Sequence, residues 1–435
     1  MTRAGLFPGW RVVIGSGCGL AFGSVIFASG GFSQLASAWG KEFAWTQPQL
    51  AKAATLFLFL QMVTYPAVGW LLDRWGTRKV ACASIVLFAL SLVALSRIGN
   101  SLGQFYAAFA LIGLVSAGTN VVSYARAISL WFDRKRGLAL GLAAGCQAFG
   151  GILVPMLAAR LIAAFGWSSA VLALAAVQLL FCLPLVGLLV KDSPAPYGLA
   201  PDGDPPGGPG AARAKALFGP TRSAILRSAI FWKLALSFAV MGLIVYALAI
   251  NVVFILSRTA GLSPLEISKV QAVGGAAVLL GRVGFGYALD KLHATWVGIA
   301  MLIVSGLGIA IFATSTTPAL LYLGAVLIWA AIGGESDLMP YVASRFFGTR
   351  ALSSVFGWFL AAFFVGAALG PTAFSMVAQA LDSVVVPLWM LVGLQAIPLG
   401  LLLLLGRYPT AAELSGATTA GTQAAGPVGL TAEMP

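Results

Sequence analysis

Long apolar segments separated by short loops run through the chain, and they constrain its fold more than any other feature. A helix needs about 20 mostly apolar residues to cross the hydrocarbon core of a bilayer, and about twelve such segments are present. They are predicted near residues 11–38, 48–72, 79–98, 102–131, 137–164, 167–190, 229–257, 264–289, 295–314, 317–346, 351–379 and 384–406. Because lipid offers no hydrogen bonds to a backbone, each segment is predicted to be a transmembrane helix, which we call a span.

The composition indicates an all-α membrane protein and excludes a soluble domain. The chain is 60% hydrophobic and 9% charged, with a mean hydropathy of +0.95. A soluble domain is about half apolar and about a quarter charged. The net charge of +13 does not indicate a nucleic-acid partner, because the basic residues lie in short loops rather than on one water-facing surface. The expected partner is the lipid bilayer.

Most basic loop residues fall on one side of the membrane in this topology, together with both ends of the chain. By the positive-inside rule, this side is predicted to be cytoplasmic. The main residues concerned are Arg74, Arg78, Lys79, Arg134, Lys135, Arg136, Lys291 and Arg350.

The two halves of the chain repeat one another. Gly69-x-x-x-Asp73, at the end of the second span, recurs as Gly286-x-x-x-Asp290 at the end of the eighth, a spacing of about 216 residues. A parallel repeat of two six-helix halves is typical of rocker-switch transporters, whose substrate site lies at the interface near the membrane midplane. The predicted organisation is a six-helix bundle over 1–190, a cytoplasmic linker with a basic segment over 191–228, a second six-helix bundle over 229–406, and a disordered cytoplasmic tail over 407–435.

Motifs for catalysis and metal binding are absent from the sequence. The four cysteines lie within apolar segments without CxxC spacing, so they are predicted to be free thiols. There is no phosphate-binding loop of the kind that ATP-driven pumps require. We therefore expect no enzymatic activity, no cofactor and no bound metal.

One loop resembles a known family. Gly69-x-Leu71-Leu72-Asp73-Arg74-x-Gly76-x-Arg78-Lys79 resembles the signature loop of the major facilitator superfamily. The resemblance implies twelve transmembrane helices in two pseudo-symmetric six-helix bundles that rock about a central site. It also implies a gate, formed here by Asp73, Arg74, Arg78 and Asp290, in which Asp73 faces the positive N-terminus of a neighbouring helix. The alternative is a loop that only sets topology.

Further stretches resemble the bacterial monocarboxylate porters and oxalate/formate exchangers of that superfamily. They are Trp10-Arg11-Val12-Val13, the run from Trp131 to Ala139, and Gly334-Glu335-Ser336-Asp337-Leu338. Gly281-Arg282-x-x-x-Gly286 matches the place where those relatives carry a carboxylate-binding arginine. The resemblance implies a monocarboxylate substrate and the bacterial inner membrane. The chain departs from the pattern at Val278, where a proton-coupling aspartate is found in some relatives.

Four charged residues lie deep inside predicted spans, away from the span ends, where a charge costs on the order of 3 kcal/mol or more. They are Arg126, Arg282, Glu335 and Asp337. Arg282 lies two turns before Asp290, about 12 Å inside the end of the span. Its guanidinium could bind a carboxylate through two parallel hydrogen bonds, which lysine cannot imitate. The alternative is an ion pair with Glu335 or Asp337, and the two states could alternate during exchange.

The sequence leaves the roles of the other three charged residues open. Arg126 is a second candidate anion ligand, or it pairs within the gate or with Asp337. Glu335 is a candidate proton carrier, or it pairs with an arginine. Asp337 follows two residues later and faces another side of the helix, so one of the two acids is expected to serve helix packing.

Neutral polar residues are candidates for lining the cavity. Each could instead be an interhelical hydrogen bond, worth about 0.6 kcal/mol. The set consists of Gln34, Gln61, Tyr65, Asn120, Tyr124, Gln147, Tyr246, Asn251, Gln271 and Tyr341. The residues selected from it as substrate ligands are Gln34, Asn120, Tyr124, Asn251 and Tyr341.

The sequence therefore predicts a secondary transporter that moves a small organic anion, in first place a monocarboxylate. The protein is expected to act as a monomer, with protons as a candidate coupling ion. The alternative is a proton-coupled efflux pump for drugs or metabolites. A membrane sensor or a membrane-embedded enzyme is a further alternative, although no signalling domain or catalytic pair supports it.

Overall fold

The structure is a computed structural model that describes residues 7–204 and 219–410. Within these residues the chain is helical throughout, with short connections. Ten helices are long and apolar enough to cross a membrane. One of them, Arg136–Leu189, holds two spans, and one further span is built from two shorter helices, so the prediction of twelve spans is confirmed. Parts of the predicted linker and tail, 205–218 and 411–435, lie outside the described residues.

The first six spans form one bundle. Span 1 is interrupted, and its helical pieces are Gly9–Ala21, Ser24–Ile26, the π-helix Phe27–Gly31 and Phe32–Phe43. Spans 2 and 3 are the helices Gln47–Trp75 and Thr77–Leu95. Span 4 consists of Leu102–Val115, the 3₁₀ turn Ala117–Thr119 and Val121–Trp131. Spans 5 and 6 follow from Arg136 to Leu189, with a π-helical turn at Gln178–Cys182 in span 6.

Spans 5 and 6 meet without a loop at Gly166. This residue has φ +80° and ψ 167°, a conformation open to glycine because it has no Cβ. The predicted boundary between 164 and 167 thus coincides with a sharp break in an otherwise continuous helix.

The last six spans form a second bundle with longer uninterrupted helices. Spans 7 to 11 are Ala229–Ala260, Pro264–Lys291, Ala294–Thr314, Pro318–Phe347 and Leu352–Ala380, and span 12 is built from Val385–Leu394 and Ala396–Leu403. Spans 8 and 10 each have a proline at the first helical turn, where a missing N–H removes no helical hydrogen bond.

The two bundles join at one end of the molecule. We call this the basic end, because it carries the loops with Arg74, Arg134 and Arg350. A single apolar core of residues from both bundles fills the basic end, including Leu72 and Trp131 from one half with Leu289 and Phe347 from the other. At the opposite end each bundle has a core of its own. The bundles are therefore packed together at the basic end and separate at the opposite end.

Candidate substrate site and gate

Asp73, the last acidic residue of span 2, caps span 11 of the other bundle. Its carboxylate accepts hydrogen bonds from the backbone N–H groups of Ser353 at 3.1 Å and Ser354 at 2.9 Å, and from the Ser354 hydroxyl at 2.6 Å. A carboxylate at a helix N-terminus satisfies N–H groups that lack helical partners and faces the positive end of the dipole. Arg126 lies 3.4 Å from the same carboxylate, with its side chain buried. The signature loop thus fastens one bundle to the other.

The repeated motif makes the reciprocal contact. Asp290, at the end of span 8, accepts hydrogen bonds from the backbone N–H groups of Gly137 at 2.6 Å and Leu138 at 2.9 Å, which begin span 5. Each half therefore caps a helix of the other half with the aspartate of its Gly-x-x-x-Asp motif. Two such caps hold the basic end shut.

A third layer of polar contacts also crosses between the bundles. The Arg345 guanidinium of span 10 donates to Asp133 Oδ1 at 3.1 Å and to the Asp133 carbonyl at 3.2 Å. A second hydrogen bond has its donor in the first half, where Arg136 Nη1 donates to Ser344 Oγ of span 10 at 2.7 Å. The sequence analysis did not predict this layer. The signal for it was Asp133, an acidic residue followed directly by the basic residues Arg134 and Lys135.

Glycines let the facing helices touch backbone to backbone just inside the gate. A Cβ added to Gly141 in span 5 would lie 2.4 Å from the carbonyl oxygen of Arg282 in span 8. A Cβ added to Gly357 in span 11 would lie 2.5 Å from the carbonyl oxygen of Tyr65 in span 2. The spacing of Gly137, Gly141 and Gly145 was a signal for this close packing.

Replacing Gly141 by alanine should prevent the basic end from closing fully, because the added methyl group meets a backbone carbonyl that cannot turn away. Overpacking of this kind costs about 1–3 kcal/mol, so we expect solute flux to fall about tenfold or more. Flux into liposomes containing the purified protein measures the effect. The matched control is Gly151→Ala in the same helix, where the new Cβ has no heavy atom within 4 Å. Equal flux in the two variants would show that this crossing does not limit transport.

Arg282 lies at the crossing of spans 8 and 5, at mid-depth in the molecule. Its Nη1 is 3.8 Å from Asp337 Oδ1 in span 10, and its Nη2 donates to Gln147 Oε1 in span 5 at 3.2 Å. The side chain is 13% exposed, and its buried Nη1 has no hydrogen-bond partner among the described residues. The distance of 3.8 Å is too long for a hydrogen bond. The guanidinium thus retains unused donors.

The two acidic residues of span 10, Glu335 and Asp337, are deeply buried. Asp337 is inaccessible, and neither of its carboxylate oxygens makes a hydrogen bond within the described chain. Glu335 is 5% exposed, and its Oε2 likewise has no hydrogen-bond partner among these residues. Buried charge without such partners is costly in a membrane, and such residues mark functional sites. Of the two acids, Asp337 is the one within ion-pair distance of the guanidinium.

From this crossing toward the end opposite the gate, spans 5 and 8 become less closely packed, and we call the space between the two bundles there the cleft. On one face of span 8, a Cβ added to Gly286 would lie 2.6 Å from a span 5 carbonyl. One turn beyond Arg282, the Leu279 side chain still lies 3.0 Å from a Cβ added to Gly145 in span 5. A Cβ added to Gly275, one turn further along span 8, would have no heavy atom of another segment within 4 Å. The facing helices therefore diverge beyond the guanidinium, which leaves Arg282 near the floor of the cleft.

Comparison with known proteins agrees with this architecture. A sequence profile described as Major Facilitator Superfamily matches residues 18–371. The chain belongs to the major facilitator superfamily. Members of this superfamily are transporters in general, and not enzymes. The predicted multi-pass membrane protein with two six-helix bundles is confirmed, whereas the resemblance to monocarboxylate porters is not tested by this match.

Relatives and solved structures of the superfamily resemble the chain along most of its length. The MFS transporter asaE of Aspergillus flavus is 26% identical over 67% of this chain, and the Fujikurins efflux protein of Gibberella fujikuroi is 25% identical over 65%. The chain spans 62% and 57% of the length of these two relatives. The structure of the human organic anion transporter MFSD10 has a TM-score of 0.67 at 18% identity, covering 91% of this chain and 99% of that one. The structural likeness shows the shared fold alone.

The two remaining predicted gate residues, Arg74 and Arg78, lie on the surface of the basic end. Arg74 and Arg78 are exposed. The Arg74 guanidinium lies 5.5 Å from the centre of the Trp70 ring, and the Arg78 backbone N–H donates to Asp192 Oδ1 at 3.1 Å. These contacts stay within the first half of the chain. A direct part for the two arginines in gating stays a prediction.

Arg126 and most of the neutral candidates lie away from the cleft in this state. Arg126 pairs with Asp73 in the gate, which was one of its predicted alternatives. Tyr341 is 3% exposed, and its hydroxyl accepts a hydrogen bond from Arg345 Nη2 at 3.4 Å. Tyr124 is fully buried. In this conformation, these three side chains are part of the packing between helices and do not face the open cleft.

The other three neutral candidates are distributed over both halves. Asn120 is 3% exposed and donates to the Tyr65 hydroxyl at 3.2 Å. Asn251 is 9% exposed and donates to the Ala247 carbonyl at 2.9 Å. Gln34 is half-buried. Asn251 Oδ1 also accepts a hydrogen bond from the Ser375 hydroxyl of span 11 at 3.0 Å, so Asn120 and Asn251 both make interhelical hydrogen bonds. Substrate binding by the three residues remains a prediction.

Proposed function

We propose that the protein is a secondary transporter of a small organic anion, in first place a monocarboxylate, and that it works by rocker-switch alternating access in the bacterial inner membrane. The basic end would be cytoplasmic, with both termini on that side, so the described state would face outward. The two bundles would correspond to 1–190 and 229–406, joined by the linker 191–228 and followed by the tail 407–435.

The observation that carries this proposal is the position of the Arg282 guanidinium. It lies near the floor of the cleft with an unpartnered Nη1, and its one neighbouring acid, Asp337, is 3.8 Å away. A planar guanidinium matches a carboxylate in geometry and charge. A substrate carboxylate would take up the free donors and displace Asp337 from the pair. When the substrate leaves, Asp337 would again neutralise the buried arginine.

Alternating access follows from the gate. The caps at Asp73 and Asp290 hold the basic end closed while the opposite end is open. Rocking would break both caps and expose their charged carboxylates. The bundles would then close on the other side of Arg282, at the end opposite the gate. Glu335, buried near the same depth, is the candidate site for a coupled proton. We propose that the transporter acts as a monomer, with the cleft formed between its own two halves.

Thermal unfolding of the purified protein against a panel of carboxylates, amines and sugars tests the substrate class. A ligand that binds the folded state raises the free energy of unfolding by mass action, by about 2.7 kcal/mol at a ligand concentration of a hundred times the dissociation constant. The unfolding midpoint rises accordingly. We expect some monocarboxylates to stabilise the parent protein and to lose this effect with Arg282→Ala. Gly151→Ala, a change at an uncrowded position of span 5, is the control for unrelated destabilisation.

A second candidate function is the efflux of an apolar metabolite. It is favoured by the relative named as the Fujikurins efflux protein, with 25% identity over 300 residues. Under this function, neutral apolar compounds or amines would stabilise the parent and Arg282→Ala equally. Arg282 would then be a structural partner of Asp337, and the anion-transport proposal would be wrong.

A further inference from the structure

Spans 1 and 4 both lose their α-helical geometry at one place in the first bundle. In span 1 the helix Gly9–Ala21 ends and Gly23 is extended, with ψ 168°. In span 4 the helix Leu102–Val115 ends, and Asn120 is extended with ψ 178°. The two breaks touch, because the backbone N–H of Ser24 donates to Thr119 Oγ1 at 3.1 Å.

These breaks are not a requirement of the fold. By the internal repeat, span 7 corresponds to span 1 and span 10 to span 4. Spans 7 and 10 are the continuous helices Ala229–Ala260 and Pro318–Phe347. The first half therefore carries an interruption that its counterpart lacks. In transporters, interrupted helices at membrane depth place free carbonyl groups and half-helix C-termini around coupling ions.

Polar oxygen atoms are crowded where the two breaks meet. The Ser24 hydroxyl lies 3.3 Å from the Ser116 carbonyl oxygen and 3.3 Å from Thr119 Oγ1. Thr119 Oγ1 is 2.8 Å from the same carbonyl oxygen. The amides of Gln61 and Asn120 complete the group, with nitrogen atoms 2.8 and 3.3 Å from the Ser24 hydroxyl. We call these five residues the polar cluster.

The polar cluster is closed off from water and contains an unsatisfied oxygen. Its side chains range from fully buried to 3% exposed. Asn120 Oδ1 is buried and has no hydrogen-bond partner among the described residues. Its amide nitrogen faces the Ser24 hydroxyl, so a half-turn of the amide would present the unpartnered oxygen to the centre of the cluster. A buried polar atom without a partner costs about 1–3 kcal/mol, and a cation at the centre would satisfy it.

The spacing and charge of these oxygens select the ion. Ligands at ~2.4 Å from a hard cation lie ~3.4 Å apart when they are at right angles. The hydroxyl and carbonyl oxygens of Ser24, Ser116 and Thr119 are now joined by hydrogen bonds of 2.8–3.3 Å, so the cluster would widen slightly to take an ion of this size. All five groups are neutral, and a divalent ion would lack the carboxylates that offset its desolvation. A larger monovalent ion such as K⁺ would need oxygens further apart.

We propose that the polar cluster is a Na⁺ site. In the ion-bound form the ligands would be the Ser24 and Thr119 hydroxyls, the Ser116 carbonyl, and the side-chain oxygens of Gln61 and Asn120. Both amides would make a half-turn to bind the ion, because their nitrogens now face the Ser24 hydroxyl. The helix Leu102–Val115 ends at the cluster, and the negative end of its dipole favours a cation there.

The site is connected to the interface between the bundles through Tyr65. The Tyr65 hydroxyl receives a hydrogen bond from Asn120 and donates to Gln61 Oε1 at 3.1 Å, and half-turns of the two amides would reverse both bonds. Its ring stacks on Phe364 of span 11, with centroids 5.7 Å apart. Tyr65 precedes Asp73 by eight residues, as Arg282 precedes Asp290, so it occupies the repeat position of the arginine. If the proposed function holds, Na⁺ in one half and a carboxylate on Arg282 in the other would cross together as a neutral pair.

Thermal unfolding in NaCl, KCl and choline chloride at equal ionic strength, without any carboxylate, tests the site. We expect the midpoint to rise with Na⁺ along a saturable curve, and K⁺ and choline to have no such effect. Ser24→Ala should raise the half-saturating Na⁺ concentration about tenfold or more, the equivalent of about 1.4 kcal/mol. Asn120→Asp, which places a carboxylate beside the ion, should lower it by a similar factor.

Ser305→Ala is the matched control, because Ser305 is a buried serine beside the Gln395 amide, 3.5 Å away in the second half. It should leave the Na⁺ response unchanged. If Ser24→Ala does not fold, Thr119→Val replaces it, with the same expected loss. Equal stabilisation by the three salts, or an unaltered Na⁺ response in Ser24→Ala or Thr119→Val, would overturn the proposal. Since no carboxylate is present, these outcomes are independent of whether Arg282 binds an anion.

Discussion

Replacing Asp73 by asparagine should shift the two bundles strongly toward an open basic end. The carboxylate accepts three hydrogen bonds from Ser353 and Ser354 at the start of span 11 and lies 3.4 Å from the buried Arg126. The amide would lose the charge that favours a helix N-terminus and would leave Arg126 without its partner. Removing one member of a buried ion pair costs about 3 kcal/mol or more. Because each 1.4 kcal/mol is a factor of ten, we expect a shift of about a hundredfold toward the open basic end.

The distance between spin labels at positions 75 and 350 measures this shift. Trp75 is 56% exposed in the first half, and Arg350 is exposed in the second. The four native cysteines would be replaced by alanine before labelling. The parent should show one short distance, and Asp73→Asn should show an additional, strongly increased population at a longer distance.

Asp192→Asn is the matched control for the gate. Asp192 also accepts a hydrogen bond from a backbone N–H at the start of a helix, that of Arg78 at 3.1 Å, but both residues belong to the first half. Its replacement should leave the distance distribution unchanged. If the two variants behave alike, the loss of a cap between the halves is not what opens the gate.

Replacing Asp337 by asparagine should tighten carboxylate binding while it slows exchange. Asp337 competes with the substrate for the Arg282 guanidinium, from which it is separated by 3.8 Å. Without it, the buried arginine would be left with an unneutralised charge, which an anion would relieve. Truncating one partner of a desolvated charge pair is worth about 2–5 kcal/mol, so we expect the dissociation constant to fall about tenfold or more. Release of the anion would slow by a similar factor.

Two measurements separate these effects. Titration of the unfolding midpoint with a monocarboxylate gives affinity, and exchange of a labelled carboxylate in liposomes gives turnover. Ser336→Ala is the control on the same helix, because the Ser336 hydroxyl donates back to the Gly333 carbonyl at 3.4 Å. Weaker binding in Asp337→Asn would mean that the acid orients the arginine for the substrate and does not compete with it.

The sequence predicted the transmembrane architecture because lipid imposes strong local rules. The length of each apolar segment set the span count, and the spacing of Gly69 to Asp73 and of Gly286 to Asp290 showed the repeat. The depth of Arg282, Glu335 and Asp337 followed from the rise of a helix, since a charge can be counted from the nearest helix end. These features depend on residues close together in the chain.

Partners between distant residues required the tertiary structure. The sequence left Arg126 open between an anion site and the gate, and the structure pairs it with Asp73, 53 positions earlier in the chain. It also left the partner of Arg282 open between Glu335 and Asp337, and the structure pairs Arg282 with Asp337 at 3.8 Å. Periodicity gives the face of a helix but not which helix that face meets.

The sequence alone thus determined a twelve-span membrane protein with basic loops on one side and a few buried charges, because membrane insertion is governed by local hydropathy and charge. Only the tertiary structure decided that the basic end is closed by two reciprocal helix caps, that Arg282 lies at the floor of the cleft, and that spans 1 and 4 break around Ser24 and Thr119. Each of these features arises from contacts between helices far apart in the chain. Their geometry is set by how the bundles pack, which no single segment encodes.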